Sequence, residues 1–182
     1  MNYLTEQEET GILLQRIFSN RWHEVFLIDA IKNEKYSYGD FFSMILRCKE
    51  KLNELELKPN DKICTIMNNS IELITLYFAS LTLGIPIISI DPNKGENEIK
   101  EILLSTRCKV VFSDSDGQNF PLNSLVFHKF CDNIHLQKND DVKQLEIFLK
   151  TNYNELFIIT YTSGSTGKPK GCLLYTSDAA DE

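Results

Sequence analysis

The sequence predicts an α/β fold, a mostly parallel sheet with flanking helices. Three observations carry this. Between Ile63 and Phe112, strand-like apolar runs alternate with helical patterns in the order strand, helix, strand, helix, strand. The spacing between runs suits crossovers, which join parallel strands, rather than hairpins. A further apolar run, Leu156–Tyr161, is β-branched and aromatic and reads as another buried strand.

The elements follow in order. Thr5–Phe18 opens with a capping box, Thr5 reciprocated by Glu8, and places Ile12, Leu13, Ile17 and Phe18 on one helical face. Val25–Ile31 is a short strand, Glu34 and Lys35 form a turn, and Tyr36–Tyr38 is a second strand. Ser37 and Asp40 cap the next helix, whose Phe41, Met44, Ile45, Cys48, Leu52 and Leu55 recur at three- and four-residue steps; Lys49, Glu50 and Glu54 are its solvated face. Lys58–Asp61 is a turn and Ile63–Met67 a buried strand. Asn68-Asn69-Ser70 caps a helix that is apolar on most sides and ends at Gly84 as its C-terminal cap. Ile85–Ile90 is a strand, Ile99, Ile102 and Leu103 mark a helix ending near Arg107, and Lys109–Phe112 is a strand. From Ser113 to Asp140 the pattern weakens and only Ser124–Phe127 reads as strand; Val142, Leu145, Phe148 and Leu149 then form a short amphipathic helix.

Composition narrows the function classes. The 182 residues suffice for one domain with a core. A formal charge of −7 argues against non-specific nucleic-acid binding. The longest apolar candidate for a membrane span, Ile71–Ile90, is interrupted by Glu72, Gly84 and Pro86, and the N-terminus has no basic region followed by an apolar one. Cys48, Cys64, Cys108, Cys131 and Cys172 form no C-x-x-C pair, and His23, His128 and His135 show no metal-ligand spacing. The cysteines read as small buried apolar residues in a reducing compartment, and the cytoplasm is the expected location.

The chemistry is concentrated after Tyr161. The strand empties into Thr162-Ser163-Gly164-Ser165-Thr166-Gly167, followed by Lys168, Pro169 and Lys170. Glycines allow successive backbone N–H groups to point into one concavity, hydroxyls add donors, and lysines add positive charge. That combination suits phosphate oxygens. A plain Ser/Gly linker is the competing reading by composition. The segment is not a Walker A loop: Gly164-x-x-Gly167-Lys168 has the wrong spacing, and Pro169 stands where Ser or Thr and a helix are needed.

Tyr161–Gly171 resembles, without a gap, the phosphate loop of the adenylate-forming superfamily: acyl-CoA synthetases, non-ribosomal peptide synthetase adenylation domains, D-alanine–carrier-protein ligases and luciferases. Three further segments resemble it in the family's order. Tyr36–Phe41 is similar to the "TYxEL" start of the first long helix. Leu57–Ile63 is similar to the "GxxPGDxV" turn, with Asn60 where Gly is usual. Leu83–Pro92 is similar to "LGAxxVPIDP". The resemblance implies the first part of the family's large N-terminal domain, and activation of a carboxylic acid or amino acid by ATP with Mg²⁺ as an acyl-adenylate. The acyl group would then pass to coenzyme A or a carrier-protein thiol. Thr162, Ser163, Gly164, Ser165, Thr166, Gly167 and Lys168 would wrap the β- and γ-phosphates, with Lys170 beside them and the Thr162 hydroxyl a possible Mg²⁺ ligand. Ser165, where many acyl-CoA synthetases carry Thr, leans toward the amino-acid-activating branch. The family's adenine and ribose contacts, its magnesium-coordinating Glu, its acyl pocket and its C-terminal lysine lie downstream of this loop, and no residue before 156 reads as catalytic.

The domain expectation is therefore a partial AMP-binding domain over 1–171. Residues 172–182, Cys-Leu-Leu-Tyr-Thr-Ser-Asp-Ala-Ala-Asp-Glu, look like a translated sequencing-library adapter and are expected to be non-native. Without that tail's three acids the formal charge rises from −7 to −4. The polypeptide is expected to be inactive as it stands. The alternatives are a non-catalytic nucleotide- or anion-binding module, and a truncated product with no function of its own.

Overall fold

The computed structural model describes residues 6–58, 61–114, 124–126, 142–153, 156–162 and 170–175. Helix α1 (Glu6–Asn20) leads into a hairpin of β1 (Val25–Asp29) and β2 (Glu34–Ser37), then α2 (Tyr38–Glu54). The β/α part follows: β3 (Ile63–Ile66), α3 (Ile71–Leu83), β4 (Ile87–Ser89), α4 (Glu96–Thr106), β5 (Val110–Ser113) and β6 (Ser124–Val126). A 3₁₀ turn (Val142–Leu145) runs into α5 (Glu146–Lys150), and β7 (Leu156–Thr162) and β8 (Lys170–Tyr175) close the described chain.

The main sheet has the order β6-β5-β3-β4-β7-β8. Its first five strands are parallel and β8 alone runs antiparallel, against β7. This is the predicted α/β class. Alternation along β3 sorts the core into two faces. Ile63 and Met67 join Ile87, Val110 and Phe112 under α2 and α3, with α1 and α5 on the same side. Cys64 and Ile66 join Ile88, Ile90 and Val111 under Ile99, Ile102 and Leu103 of α4. No residue of α3 is fully exposed, as its all-round apolarity predicts.

Local chemistry fixes the boundaries. Ser37 and Asp40 form the expected capping box: the Asp40 backbone N–H donates to Ser37 Oγ at 3.0 Å and the Ser37 backbone N–H donates to Asp40 Oδ2 at 2.9 Å. The Leu73 N–H donates to Ser70 Oγ at 3.1 Å, and Gly84 leaves α3 at φ 65°. The Asp61 carboxylate accepts from the Lys58 N–H, closing the expected turn around residues 59–60, which lie outside the described residues.

Three expectations need correction. Glu34 and Lys35 are paired in β2, opposite Asp29 and Ile28, and are not a turn. The turn lies earlier because the Asp29 carboxylate accepts from the N–H groups of Ile31 and Lys32, and Asn33 takes φ 54°. Tyr38, expected in the strand, already belongs to α2. In α1 the buried face is Gly11, Leu14, Ile17 and Phe18, while Ile12 and Leu13 are 40% and 55% exposed. A Cβ on Gly11 would lie 2.6 Å from the Phe148 carbonyl oxygen, so the glycine is what lets α1 sit against the backbone of α5. The expected Thr5–Glu8 capping box involves Thr5, which lies outside the described residues. Cys48, Cys64 and Cys108 are buried as expected, Cys172 is exposed, and Cys131 lies outside the described residues.

Candidate functional site

In a parallel sheet the chain's direction decides where a ligand can sit. From β3 the chain moves to β4 with α3 on one face. From β4 it returns past β3 to β5 with α4 on the other face. The carboxyl ends of β3 and β4 therefore flank a topological switch point, where adjacent connections diverge and leave a crevice. Strand β7 lies next to β4 on the side away from β3, with Thr160 level with Ser89 and Ser89 level with Thr65. At the usual interstrand spacing, the end of β7 is roughly 10 Å from the end of β3.

The hydroxyl- and glycine-rich segment leaves the sheet at this edge. Thr162, the last residue of β7, pairs with Lys170, the first residue of β8. The two ends of the segment are thus held side by side, and residues 163–169 bridge them from the carboxyl end of β7. Of the predicted site residues, Thr162 and Lys170 are brought together as a backbone pair; Ser163, Gly164, Ser165, Thr166, Gly167 and Lys168 lie outside the described residues. A strand follows the segment, not a helix. A strand after the segment gives no helix dipole at its C-terminal end, which is the distinction from a Walker A loop that Pro169 implied at the sequence level.

The rest of the edge is polar and locally tied. Asp114, just past β5, accepts through Oδ2 from both the Asn68 backbone N–H at 2.6 Å and the Asn68 side-chain amide at 2.9 Å. This ties the exit of β3 to that of β5. Asp91, just past β4, accepts from the Asn93 backbone at 2.8 Å and side chain at 3.0 Å, turning the chain toward α4. Behind the edge, Tyr77 of α3 donates to Ser89 Oγ at 2.9 Å, and its ring meets Phe157 edge-on at 6.2 Å. That contact seats β7 against α3, with a bulge at residues 156–158. Sequence reasoning read Asn68 only as part of a helix cap and did not single out Asp114 or Tyr77 for the site. The usable signal was positional, since Asn68 immediately follows a predicted strand of a parallel sheet and Asp114 comes two residues after another. Among the described residues no group of three or more His, Cys, Asp or Glu side chains is placed to hold a metal ion.

The comparisons agree with this fold. A family model described as "AMP-binding enzyme" matches residues 15–180. The chain is similar to 2-succinylbenzoate–CoA ligase of Bacillus cereus (strain ATCC 10987 / NRS 248), 27% identical over 150 residues, spanning 79% of this chain and 28% of that protein. In structure it is similar to the N-terminal subdomain of Klebsiella oxytoca NpsA, with a TM-score of 0.73 at 20% identity over 91% of this chain and 41% of that one. It is also similar to o-succinylbenzoate CoA synthetase from Bacillus subtilis in complex with the acyl-adenylate intermediate OSB-AMP, with a TM-score of 0.72 at 16% identity over 89% of this chain and 41% of that one. The chain thus spans well under half the length of each of these proteins.

Proposed function

The chain belongs to the AMP-binding enzyme family, and we propose that it is the N-terminal part of an ATP-dependent ligase that activates a carboxylic acid as an acyl-adenylate and transfers the acyl group to a thiol. The observation that carries this reading is the pairing of Thr162, at the end of β7, with Lys170. It offers a Ser/Thr/Gly/Lys segment at the switch-point edge of a parallel sheet, within a family match covering residues 15–180. The likeness to a CoA ligase and to a structure holding an acyl-adenylate supports the reaction class. The acid is carboxylic or an amino acid, and the acceptor is coenzyme A or a carrier-protein thiol.

The chain's own part in that reaction is to hold pyrophosphate as it leaves. A carboxylate attacks the α-phosphorus, and negative charge builds on the β- and γ-phosphates. Backbone N–H groups of residues 163–167 and the Lys168 ammonium meet that charge, with Lys170 alongside. Mg²⁺, when bound, neutralises phosphate charge. Within this chain we assign the Thr162 hydroxyl as the ligand that would help hold it, and we place the family's magnesium-coordinating Glu downstream. We place the acyl pocket and the remaining catalytic groups downstream, so this polypeptide alone is inactive. Residues 172–182 remain, in our proposal, adapter-derived. Amplifying the locus from source DNA tests this, and a stop codon directly after Glu182 would overturn it.

The test is ATP–pyrophosphate exchange by the full-length parent. Exchange should require a carboxylic acid and fall by about 10²-fold or more in Lys168→Ala. Nucleotide binding without acid-dependent exchange would replace the ligase with a binding module. Unchanged exchange in Lys168→Ala would remove the loop from the mechanism.

A further inference from the structure

One hydroxyl lies in the sheet where an apolar side chain would serve the strand as well. Thr65 of β3 is 1% exposed. Its Oγ1 is one of two buried side-chain oxygens, with Ser80 Oγ of α3, that have no hydrogen-bond partner among the described residues. Valine has nearly the same shape and the same liking for strands, so the Thr65 hydroxyl carries a desolvation cost that only a hydrogen bond offsets. The register shows where that bond can come from. Thr65 is level with Phe112 of β5 on one side and with Ser89 of β4 on the other. Level residues of parallel strands share a face. Here it is the face under α3, because Ile63, Ile87 and Val110, two residues earlier on the same three strands, all belong to that cluster. Phe112 offers a ring with no hydrogen-bonding atom. Ser89 offers a hydroxyl that is half used: its oxygen accepts from Tyr77 Oη at 2.9 Å, which leaves its own proton to donate. The two level hydroxyls do not bond each other directly. Adjacent strands run about 4.8 Å apart, too far for one O–H···O bond between side chains rising in parallel, but close to the span of two such bonds of about 2.8 Å each.

We propose that β3 and β4 hold one internal water molecule between Thr65 and Ser89. The water accepts from Ser89 Oγ and donates to Thr65 Oγ1, so both hydroxyls gain the bond the apolar layer denies them. It extends the Tyr77–Ser89 bond into a chain of hydrogen bonds from α3 through β4 to β3. Ser89 is the last residue of β4 and Thr65 the next to last of β3, so the water sits at the carboxyl ends of the two strands, on the α3 side of the switch-point edge. The site is independent of the ligase reading.

The test uses the 182-residue chain. A high-resolution crystal structure of the unsubstituted chain should show one ordered water in hydrogen-bond contact with both Thr65 Oγ1 and Ser89 Oγ. Thr65→Val should lose that water, and Thr65→Ser, which keeps the hydroxyl, should retain it. Urea unfolding separates the two readings by sign. If the water is there, Thr65→Val strips it and the Ser89 proton of a partner, and the midpoint falls at unchanged slope. If the Thr65 hydroxyl is simply unpaired, the same substitution removes a buried polar group at no loss, and the midpoint rises. The proposal is overturned if the unsubstituted chain has no ordered water touching both oxygens, or if the Thr65→Val midpoint does not fall. The first reading needs no variant, so it stands even if Thr65→Val fails to fold.

Discussion

Replacing Gly39 with alanine sets two effects against each other. Gly39 lies in the first turn of α2, where alanine gains up to about 1 kcal/mol of helix propensity. The added Cβ would lie 2.7 Å from both Cε2 and Nε1 of Trp22 and 3.1 Å from Cδ2. These are atoms of a rigid ring that is 7% exposed and packs on Phe42 at 5.8 Å. The ring cannot simply slide away, because the Gly39 N–H donates to the Trp22 carbonyl at 2.9 Å and tethers the two backbones. Overpacking of this kind costs about 1–3 kcal/mol. The clash wins, and Gly39→Ala should destabilise by about 1–2 kcal/mol, a fall in Tm of roughly 2–8 °C. Urea unfolding followed by circular dichroism measures this. The sole tryptophan, Trp22, gives a second, local readout by fluorescence. Trp22→Phe removes part of the ring, so the double variant should be more stable than the sum of the two single losses by more than about 0.5 kcal/mol. Additive losses, or a Gly39→Ala chain as stable as wild type, would refute the argument.

Gly95 caps α4 in extended backbone with no side-chain hydrogen bond, and a Cβ there meets nothing within 4 Å; Gly95→Asp should stabilise by a few tenths of a kcal/mol, read as a raised urea midpoint at unchanged slope. The backbone N–H of Lys32, with that of Ile31 and the Lys32 charge, holds the Asp29 carboxyl below its ordinary 3.8. A lowered pKa contributes stability above 3.8 that is lost as pH falls through the folded value, so Asp29→Asn should lower stability at neutral pH, leave it nearly unchanged below the folded value, and so flatten the acid limb of a stability–pH curve. A steeper acid limb would show the sign to be wrong.

How far the fold could be read from residues depended on where each element's partners lie in the chain. β3, α3, β4, α4 and β5 match their expected spans to within a few residues, because strands buried on both faces and helices with local caps carry their own signal. The β1–β2 turn was misplaced because a single carboxylate, Asp29, supplies the turn that Gly or Pro would otherwise advertise. The face of α1 was misjudged because its contact is centred on a glycine, which hydrophobic counting ignores, and on α5 far away in sequence. The run Leu156–Tyr161 was legible as strand, whereas β8, which extends into residues expected to be non-native, was not; residues 163–169, read as a phosphate loop, lie outside the described residues. The Asn68–Asp114 tie was not legible either, since it exists only once β3 and β5 are neighbours.

The α1–α5 contact also sets a timetable for synthesis. Phe148, which packs on both Gly11 and Phe18, emerges roughly 130 residues after Phe18. At about 5–20 residues per second, the first helix waits on the order of ten seconds for its partner. During that interval the sheet nucleus of β3, β4 and β5 is already complete in the nascent chain, while the apolar side of α1 lacks its α5 cover. Translational pausing before residue 146 would lengthen that exposure, so the region between β6 and α5 is where codon choice would bear on the yield of folded protein.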